Sequence, residues 1–146
     1  MSSDNDLIKL YSARILALSV EMPRVGRLAD ADASAKKRSP HCGSTVSVDL
    51  RVENGRIIDF AQDVKACALG QASAAVFGKV AVGLDREAIQ RGRDQLIAML
   101  KENGPVPEVP FSELEVLLPA RDYKNRHASI LLAFDATLDA LDNIAA

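Results

Sequence analysis

The feature that most constrains the fold of this chain is a β-hairpin signal near its centre. Four apolar residues alternate with three polar ones, namely Val46, Val48, Leu50 and Val52 with Ser47, Asp49 and Arg51. This alternation predicts a strand with one face in water. Asn54-Gly55 follows and supplies the two positive-φ residues of a tight turn, and Ile57 begins the returning strand, predicted through Val64. Because one face of such a pair must be covered, the rest of the chain has to supply a layer that packs on it.

Helical periodicity on both sides of the hairpin supplies that layer. Apolar spacings of three and four, together with capping and breaking residues, define the segments. Asp85 is placed to cap one of the helices, while Pro23 and Pro119 end two of the segments. The predicted helical segments are 6–22, 67–81, 86–102 and about 124–143, with a short segment at 111–118.

The stretch 23–41 differs in character from its neighbours. It is polar, contains Gly26 and Pro40, and carries the basic run Lys36-Lys37-Arg38, so it is predicted to be a mobile loop. The basic run reads either as a solvated loop or as a binding surface for an acidic partner. The whole pattern predicts a single α+β domain over 1–146: a small antiparallel sheet, as a hairpin or three-stranded meander, packed against several helices.

Composition narrows the class of protein. The chain has 146 residues, 48% of them hydrophobic, which is enough for a substantial core. Its 18 basic and 20 acidic residues give a net charge of −2, which argues against nucleic-acid binding through bulk charge. We expect no membrane association and a cytoplasmic protein with reduced thiols, since no signal-peptide pattern or membrane-length apolar run is found. Phosphate-binding and dinucleotide-binding glycine loops and the nucleophile-elbow pattern are also missing.

Two cysteines carry the chemistry that the sequence offers. Cys42 precedes the predicted hairpin and Cys67 follows it, so the thiols are expected to lie near each other. Cys67 also falls at a predicted helix N-terminus, where backbone NH groups favour a thiolate, and Gly43 leaves the backbone beside Cys42 open to close approach. His41 and His127 are the only histidines in the sequence and add two imidazoles as possible ligands. Two histidines are too few for a three-histidine zinc site. The residues alone leave open a metal or sulfur site, one disulfide bridge, or two chemically idle cysteines.

Five short motifs follow one another along the chain. They are Glu21-Met22-Pro23-Arg24-Val25-Gly26, Ser39-Pro40-His41-Cys42-Gly43, the turn at Asn54-Gly55, Ala66-Cys67 with Ala72-Ser73-Ala74, and the stretch from Arg126 to Ala136. In this order they resemble the NifU N-terminal domain family, which includes the IscU-type and SufU-type iron–sulfur cluster assembly proteins. The long interval after Cys67 is similar to the SufU-type branch.

The resemblance implies a fold and a chemistry. Family members hold zinc, iron or an assembling iron–sulfur cluster through three cysteines and an aspartate, as thiolates suit these metals. They receive sulfur from a cysteine desulfurase and serve recipient apoproteins. When the family's ligand positions are matched to this sequence, Cys42 and Cys67 correspond to the first two cysteines. Ser44 stands where the aspartate would be.

The third cysteine of the family is also replaced. Its position falls on Ser129, or on Ala128 if the register shifts by one residue. The resemblance leaves His127 and His41 as candidate replacement ligands, and Arg126 matches a family arginine near the site.

Three functions follow from the resemblance. The first is a scaffold, not an enzyme, that binds iron, zinc or a labile cluster, and a homodimer sharing ligands is one arrangement left open. The second is a partner of a cysteine desulfurase that accepts sulfur as a persulfide on Cys67 or Cys42 and so has sulfurtransferase activity. The third is a degenerate member that binds no metal and acts as a protein-interaction module.

Overall fold

The sheet is a three-stranded antiparallel meander. The structure, a computed structural model, describes residues 12–40 and 43–145. Its strands are β1 (Ala33–Arg38), β2 (Thr45–Glu53) and β3 (Arg56–Lys65), in the order β1-β2-β3. With the helices described below, this gives the α+β fold that the sequence predicts.

The central hairpin forms as predicted. Asn54 and Gly55 adopt φ values of 55° and 77°, the left-handed conformation that a two-residue turn of this type requires. Val52 pairs with Ile57 and Glu53 with Arg56 on either side of the turn. Apolar residues of β2 face inward and are buried, as the alternation indicates: Val46, Val48 and Leu50.

The outer face of β2 differs from the prediction at one residue. Asp49, expected in water, is buried. Its carboxylate accepts hydrogen bonds from the Arg27 side chain and the Leu28 backbone NH, because the chain before β1 folds over this face. Local alternation marks the face on which a side chain lies but not whether a distant segment covers it.

A strand replaces part of the predicted loop. Ala33–Arg38 pair with β2 in continuous register, from Ala33 opposite Leu50 to Arg38 opposite Thr45. The charges are compatible with this strand because it lies at the sheet edge, where lysine and arginine side chains reach water. The prediction of a loop over the whole of 23–41 is therefore wrong for these six residues.

The helices cover one face of the sheet. α4 packs against β1, β2 and α2, while α2 also contacts β3. Asp85 caps α3 as predicted, since its Oδ1 accepts from the Ala88 NH at 2.8 Å. The described part of the first helix ends at Val20, just before Pro23, and the start of the predicted segment lies outside the described residues. The helices are α1 (12–20), α2 (Ala68–Val80), α3 (Arg86–Lys101) and α4 (His127–Ala145), with 3₁₀ helices at Ser112–Asp122 and Lys124–Arg126.

All four phenylalanines of the chain meet between the sheet and the helices. The ring of Phe77 lies 4.8–5.9 Å, centroid to centroid, from those of Phe60, Phe111 and Phe134. Pro119, predicted to stop the segment before it, lies inside the first 3₁₀ helix instead. In the part of the chain that the structure describes, no helix combines the length and apolar character that a membrane span needs.

Candidate functional site

Cys67 lies at the junction between β3 and α2. β3 ends at Lys65, and Cys67 is the N-cap residue of α2 with an extended backbone, as the sequence predicts. Its side chain makes no capping hydrogen bond and is half-buried. The thiol therefore lies at the positive end of the α2 dipole with part of its surface open to solvent.

Two serines from other elements converge on this thiol. The Cys67 Sγ lies 3.6 Å from the Ser129 Oγ, in the first turns of α4. Ser129 in turn donates to the Ser44 Oγ at 3.0 Å, just before β2 begins. Ser129 and Ser44 are only 1% and 4% exposed. We call the three residues the thiol–hydroxyl cleft.

A glycine in α2 makes room for this contact. A Cβ atom at Gly70 would lie 2.4 Å from the Ser129 Oγ, so only glycine fits without a shift. The two helices are also tied where Ser73 donates to the Ile130 carbonyl at 2.6 Å. The sequence analysis did not single out Gly70, although a glycine inside a helical pattern is the signal of such a close approach.

Ser129 and its neighbour Ala128 have different surroundings. Successive helical residues are rotated by about 100°, so the two side chains leave α4 in different directions. Ser129 contacts Cys67, whereas Ala128 lines a groove of about 400 Å³ that also borders Pro40 and Leu132. Of the two sequence registers, the one with Ser129 brings the family's third ligand position to Cys67.

His127 does not join the cleft. Its Nε2 donates to the Ala120 carbonyl at 2.8 Å, and the ring is buried. Residues two apart on a helix project about 200° from each other, which directs His127 away from the face that Ser129 occupies. The ring is held against the first 3₁₀ helix, which contains Ala120, and the ligand role of His127 stays a prediction. Arg126 is exposed at the start of α4.

His41 and Cys42 lie outside the described residues, so their predicted roles remain predictions. The chain on either side is nevertheless fixed. The Ser39 NH donates to the Ser44 carbonyl at 2.8 Å, which closes the connection between β1 and β2 beside the cleft. Gly43 is exposed and has a φ of 70°, a conformation that glycine adopts without strain.

The donor set of the cleft is poor for a tightly held metal. Among the described residues, no three or more histidine, cysteine, aspartate or glutamate side chains are grouped to hold a metal ion. The cleft contributes one soft thiol, from Cys67, beside two neutral hydroxyls. Hydroxyl oxygen is a weak ligand for the thiophilic metals that cysteine selects. The described residues on their own therefore do not form a closed tetrahedral site.

Comparisons with known proteins agree with this fold. The model of the family described as NifU-like N terminal domain matches residues 10–127. The crystal structure of the N-terminal part of a nitrogen-fixing NifU-like protein from Brucella abortus is 48% identical with a TM-score of 0.88, covering 90% of this chain and 92% of that one.

A second solved structure shares the fold at low identity. It is described as an iron–sulfur cluster assembly scaffold protein for the SUF system of Fervidobacterium islandicum AW-1. It is 19% identical with a TM-score of 0.79, covering 88% of this chain and 93% of that one. A search of curated proteins found no significant match.

Proposed function

Since this chain belongs to the NifU-like N-terminal domain family, we propose that it acts in iron–sulfur cluster assembly as a scaffold-type protein. Iron or a labile cluster is its cargo, bound through cysteine thiolates. One observation carries the proposal: Cys67, Ser129 and Ser44 come from three separate elements and meet in one cleft. These are the positions at which the resemblance places two cysteines and the aspartate of the family.

Cys67 is the described residue best suited to bind the cargo. Thiolates are the natural ligands of iron–sulfur clusters. The Cys67 thiol lies at the N-terminal end of α2, is half-buried and makes no capping hydrogen bond there. Cys42 is the second thiolate of the proposal, since in the sequence it falls between Ser39 and Ser44, whose backbone hydrogen bond closes the connection beside the cleft.

The two hydroxyls make this a site of weak retention. Ser44 and Ser129 replace donors that would hold a metal firmly, so the described residues leave ligand positions to be filled by His41, which lies outside them, or by another molecule. A second copy of the chain or a recipient apoprotein can supply such a ligand. Weak retention suits a protein that passes its cargo on. A cysteine desulfurase in the same cytoplasmic compartment supplies the sulfur in this proposal.

Anaerobic reconstitution tests the scaffold function. Purified protein is incubated with ferrous iron and sulfide, and thiolate-to-iron charge-transfer absorption is recorded together with bound iron and zinc. We expect absorption in the wild type and its loss in Cys67→Ser and Cys42→Ser. Ala66→Ser is the matched control, because it adds the same hydroxyl next to the site but keeps the thiol. Absorption that is missing in the wild type, or unchanged in Cys67→Ser, contradicts the proposal.

A second candidate function is sulfur acceptance. The Cys67 thiol is only half-buried, and its side-chain partner among the described residues is the Ser129 hydroxyl, which is not a strong metal ligand. Its thiolate would attack the outer sulfur of a desulfurase persulfide. A new sulfur–sulfur bond then forms on Cys67, the donor's sulfur–sulfur bond breaks, and the donor cysteine leaves as a thiolate, with no net oxidation.

Mass spectrometry separates the two functions. In the absence of iron, the protein is mixed with a cysteine desulfurase and free cysteine. Sulfur acceptance predicts the addition of one sulfur atom to wild-type protein and its loss in Cys67→Ser, with Ala66→Ser unaffected. If no sulfur is added while reconstitution succeeds, the scaffold function stands alone.

A further inference from the structure

The two edge strands of the sheet differ in what covers them. On β3, the Gln62 NH donates to the Arg24 carbonyl at 2.9 Å, and the Gln62 carbonyl accepts from the Gly26 NH at 3.0 Å. Ile57, further along β3, is bonded in the same way to the turn before α3. On β1, the part of the chain that the structure describes places no backbone hydrogen bond on residues 33–38 other than those to β2. One edge is therefore covered by the chain itself, and the other is open.

The pairing shows which backbone groups of β1 are open. In an antiparallel pair, successive residues alternately direct their NH and carbonyl toward the neighbouring strand and away from it. The Ser39 NH donates to the Ser44 carbonyl at 2.8 Å, so the residues of β1 at even steps before Ser39 also bond to β2. The residues between them, Ser34, Lys36 and Arg38, direct their NH and carbonyl groups outward.

The covered edge gives the same result independently. Val48 in the central strand lies opposite Ala35 of β1 and Gln62 of β3. A residue of a central strand bonds to only one of its two neighbours. Gln62 bonds outward, to the segment 24–26, so Val48 bonds to Ala35. The backbone of Ala35 therefore faces β2, and that of Lys36 faces outward.

A groove of about 400 Å³ lies beside this open edge, between the end of β1 and the helices α3 and α4. Its apolar lining consists of Pro40, Ala128, Leu132 and Leu138. Neighbouring strands lie about 4.8 Å apart, so a strand added to β1 would run along the groove and direct alternate side chains into it.

The charged groups of the groove are largely satisfied. Its three carboxylates all belong to α4, and each is paired with a cation: Asp135 with Arg93, Asp139 with Lys37, and Asp142 with Arg86. The groove therefore has no free carboxylate to attract a cation, and these acids disfavour further negative charge. Uncharged aliphatic side chains fit this side of the edge best.

The outer side of the same edge is basic. Lys36 and Arg38 lie on the face that carries Ser34, whose hydroxyl bonds to Asp49, and this is the face away from the helices. Both side chains are exposed, and neither forms an ion pair within the described part of the chain. The acid in the row of Lys36 is Asp63, which lies two strands away on β3. Side chains directly opposite each other on paired strands lie about 5 Å apart, so acidic residues of an added strand would reach both cations.

We propose that β1 accepts an extended segment of a partner protein as a fourth strand, in which acidic residues alternate with aliphatic ones. The acidic side chains lie opposite Lys36 and Arg38, and the aliphatic ones enter the groove. Backbone hydrogen bonds to the outward groups of Ser34, Lys36 and Arg38 supply affinity, and the side chains supply specificity. The inference does not depend on metal binding or on Cys67, so its failure would leave the scaffold function untouched.

A second copy of this chain fits the edge less well than such a segment. Pairing β1 with its own copy would gather two basic runs, 36–38, along one pair of strands. Like charges opposite or diagonal to each other destabilise strand pairing, and lysines on an edge strand oppose self-association for this reason. Self-pairing through β1 is therefore an outcome that would overturn the proposal.

Amide hydrogen exchange, measured by NMR on metal-free full-length protein, tests whether the edge is open. In the free protein, the amides of Ser34, Lys36 and Arg38 should exchange fast, whereas those of Ala35 and Lys37 should be protected by β2. Slow exchange at the first three in the free protein would show that the edge is already covered, by other residues of the chain or by a second copy, and would overturn the proposal.

A defined peptide then tests the occupant. A blocked hexapeptide that alternates glutamate with valine should bind saturably and slow exchange at the three outward amides. Two comparison peptides should not: one has the same composition with all glutamates first, and the other carries N-methyl groups on its glutamates, which removes the NH groups that face β1. Equal binding of either comparison peptide, or no binding of the alternating one, contradicts the proposal.

A proline substitution tests the backbone contacts from the side of the protein. Lys36→Pro removes an outward NH without breaking the pairing with β2, and edge strands tolerate proline at such positions. It should abolish binding of the alternating peptide. Lys36→Ala is the matched control, because it removes the same charge but keeps the NH, and it should weaken binding by at most about fivefold. Equal binding by the two variants would overturn the proposal.

Charge reversal provides a second test that leaves the backbone unchanged. Lys36→Glu with Arg38→Glu should weaken binding of the alternating peptide by at least about tenfold, since attraction becomes repulsion at two cross-strand pairs. Arg91→Glu with Lys101→Glu changes the net charge equally, but both residues lie on α3 outside the groove lining, so binding should be retained. An equal loss in the two double variants would show that overall charge, not the edge of β1, attracts the peptide.

Discussion

Two buried polar clusters attached to β2 differ in how firmly they are bonded. Asp49, 2% exposed, accepts from Arg27 Nε at 2.7 Å, from Arg27 Nη2 at 3.0 Å and from the Leu28 NH at 2.9 Å, and from the Ser34 hydroxyl as well. The contacts that join Cys67, Ser129 and Ser44 in the thiol–hydroxyl cleft are between neutral groups, at 3.0 and 3.6 Å. The first cluster is saturated with charge-assisted bonds, and the second is not.

Because of this difference, we expect the two clusters to have different roles. The Arg27 side chain, with smaller help from Ser34 and the Leu28 NH, lowers the pKa of Asp49 to about 2 against the opposing effect of burial. Asp49 therefore fastens the segment before β1 to the sheet. The neutral hydrogen bonds of the cleft are expected to contribute about 1 kcal/mol each or less, which under the proposed function would let Cys67 exchange partners at little cost in stability. Four predictions test this contrast, from the largest expected effect to the smallest.

Removing the Asp49 carboxylate should have the largest effect. Asp49→Ala leaves the Leu28 NH and the Ser34 hydroxyl without their acceptor, which should lower the free energy of unfolding by about 3 kcal/mol. Urea denaturation measures the change. Asp63→Ala, an exposed carboxylate on the same sheet, is the control and should change stability by less than about 0.5 kcal/mol. Similar losses in the two variants would show that Asp49 is not a fastening point.

Acid should remove the same stabilisation. The pKa of Asp49 is about 2 in the folded chain and 3.8 without these contacts, so the unfolded chain binds the proton first as pH falls. The contribution is complete above pH 3.8 and is lost as the pH drops toward 2. It amounts to roughly 2 kcal/mol. Denaturation at a series of pH values should show this loss in the wild type and a smaller slope in Asp49→Asn; equal slopes would refute the assignment.

Gly70→Ala tests the approach of the two helices at the cleft. The new Cβ would meet the Ser129 Oγ at 2.4 Å and the Ala66 Cβ at 2.9 Å, so one of them has to shift. Overpacking of this kind should lower the free energy of unfolding by about 1–2 kcal/mol. Adding Ser129→Ala removes the closer of the two contacts and should restore part of the loss. If the two changes are simply additive, Gly70 does not act through Ser129.

Ser129→Ala alone should have the smallest effect on stability. It removes neutral hydrogen bonds to Ser44 and Cys67, which should lower the free energy of unfolding by at most about 1 kcal/mol. The rate at which iodoacetamide alkylates Cys67, measured in a Cys42→Ser background, should rise because the hydroxyl neighbour is lost. Ser112→Ala, an exposed serine, is the control. A stability loss as large as that of Asp49→Ala would contradict the contrast between the clusters.

The parts of the fold that the sequence predicts are those that local chemistry determines. The Asn54-Gly55 turn, the Asp85 cap and the position of Cys67 at the start of α2 all depend on a few neighbouring residues. β1 was missed because an edge strand with a basic run lacks the apolar alternation of a central strand. Burial of Asp49 depends on a segment more than twenty residues away.

The cleft is predictable only in part. The resemblance places Ser44 and Ser129 at ligand positions, but it does not decide whether Ser129 or Ala128 occupies the third one. Only the packing of α4 against α2 decides this, because it brings Ser129 to Cys67. The same packing turns His127 toward Ala120, which no local pattern indicates.

The most direct test of the account is to restore a thiol at each of the two alternative positions. Ser129→Cys and Ala128→Cys are reconstituted anaerobically with iron and sulfide beside the wild type, and the iron retained after gel filtration is measured. Because Ser129 lies beside Cys67 whereas Ala128 faces the groove, Ser129→Cys should retain markedly more iron than the wild type, and Ala128→Cys should not. Equal retention by the two variants, or no gain in Ser129→Cys, would contradict the claim that this cleft is the cluster site.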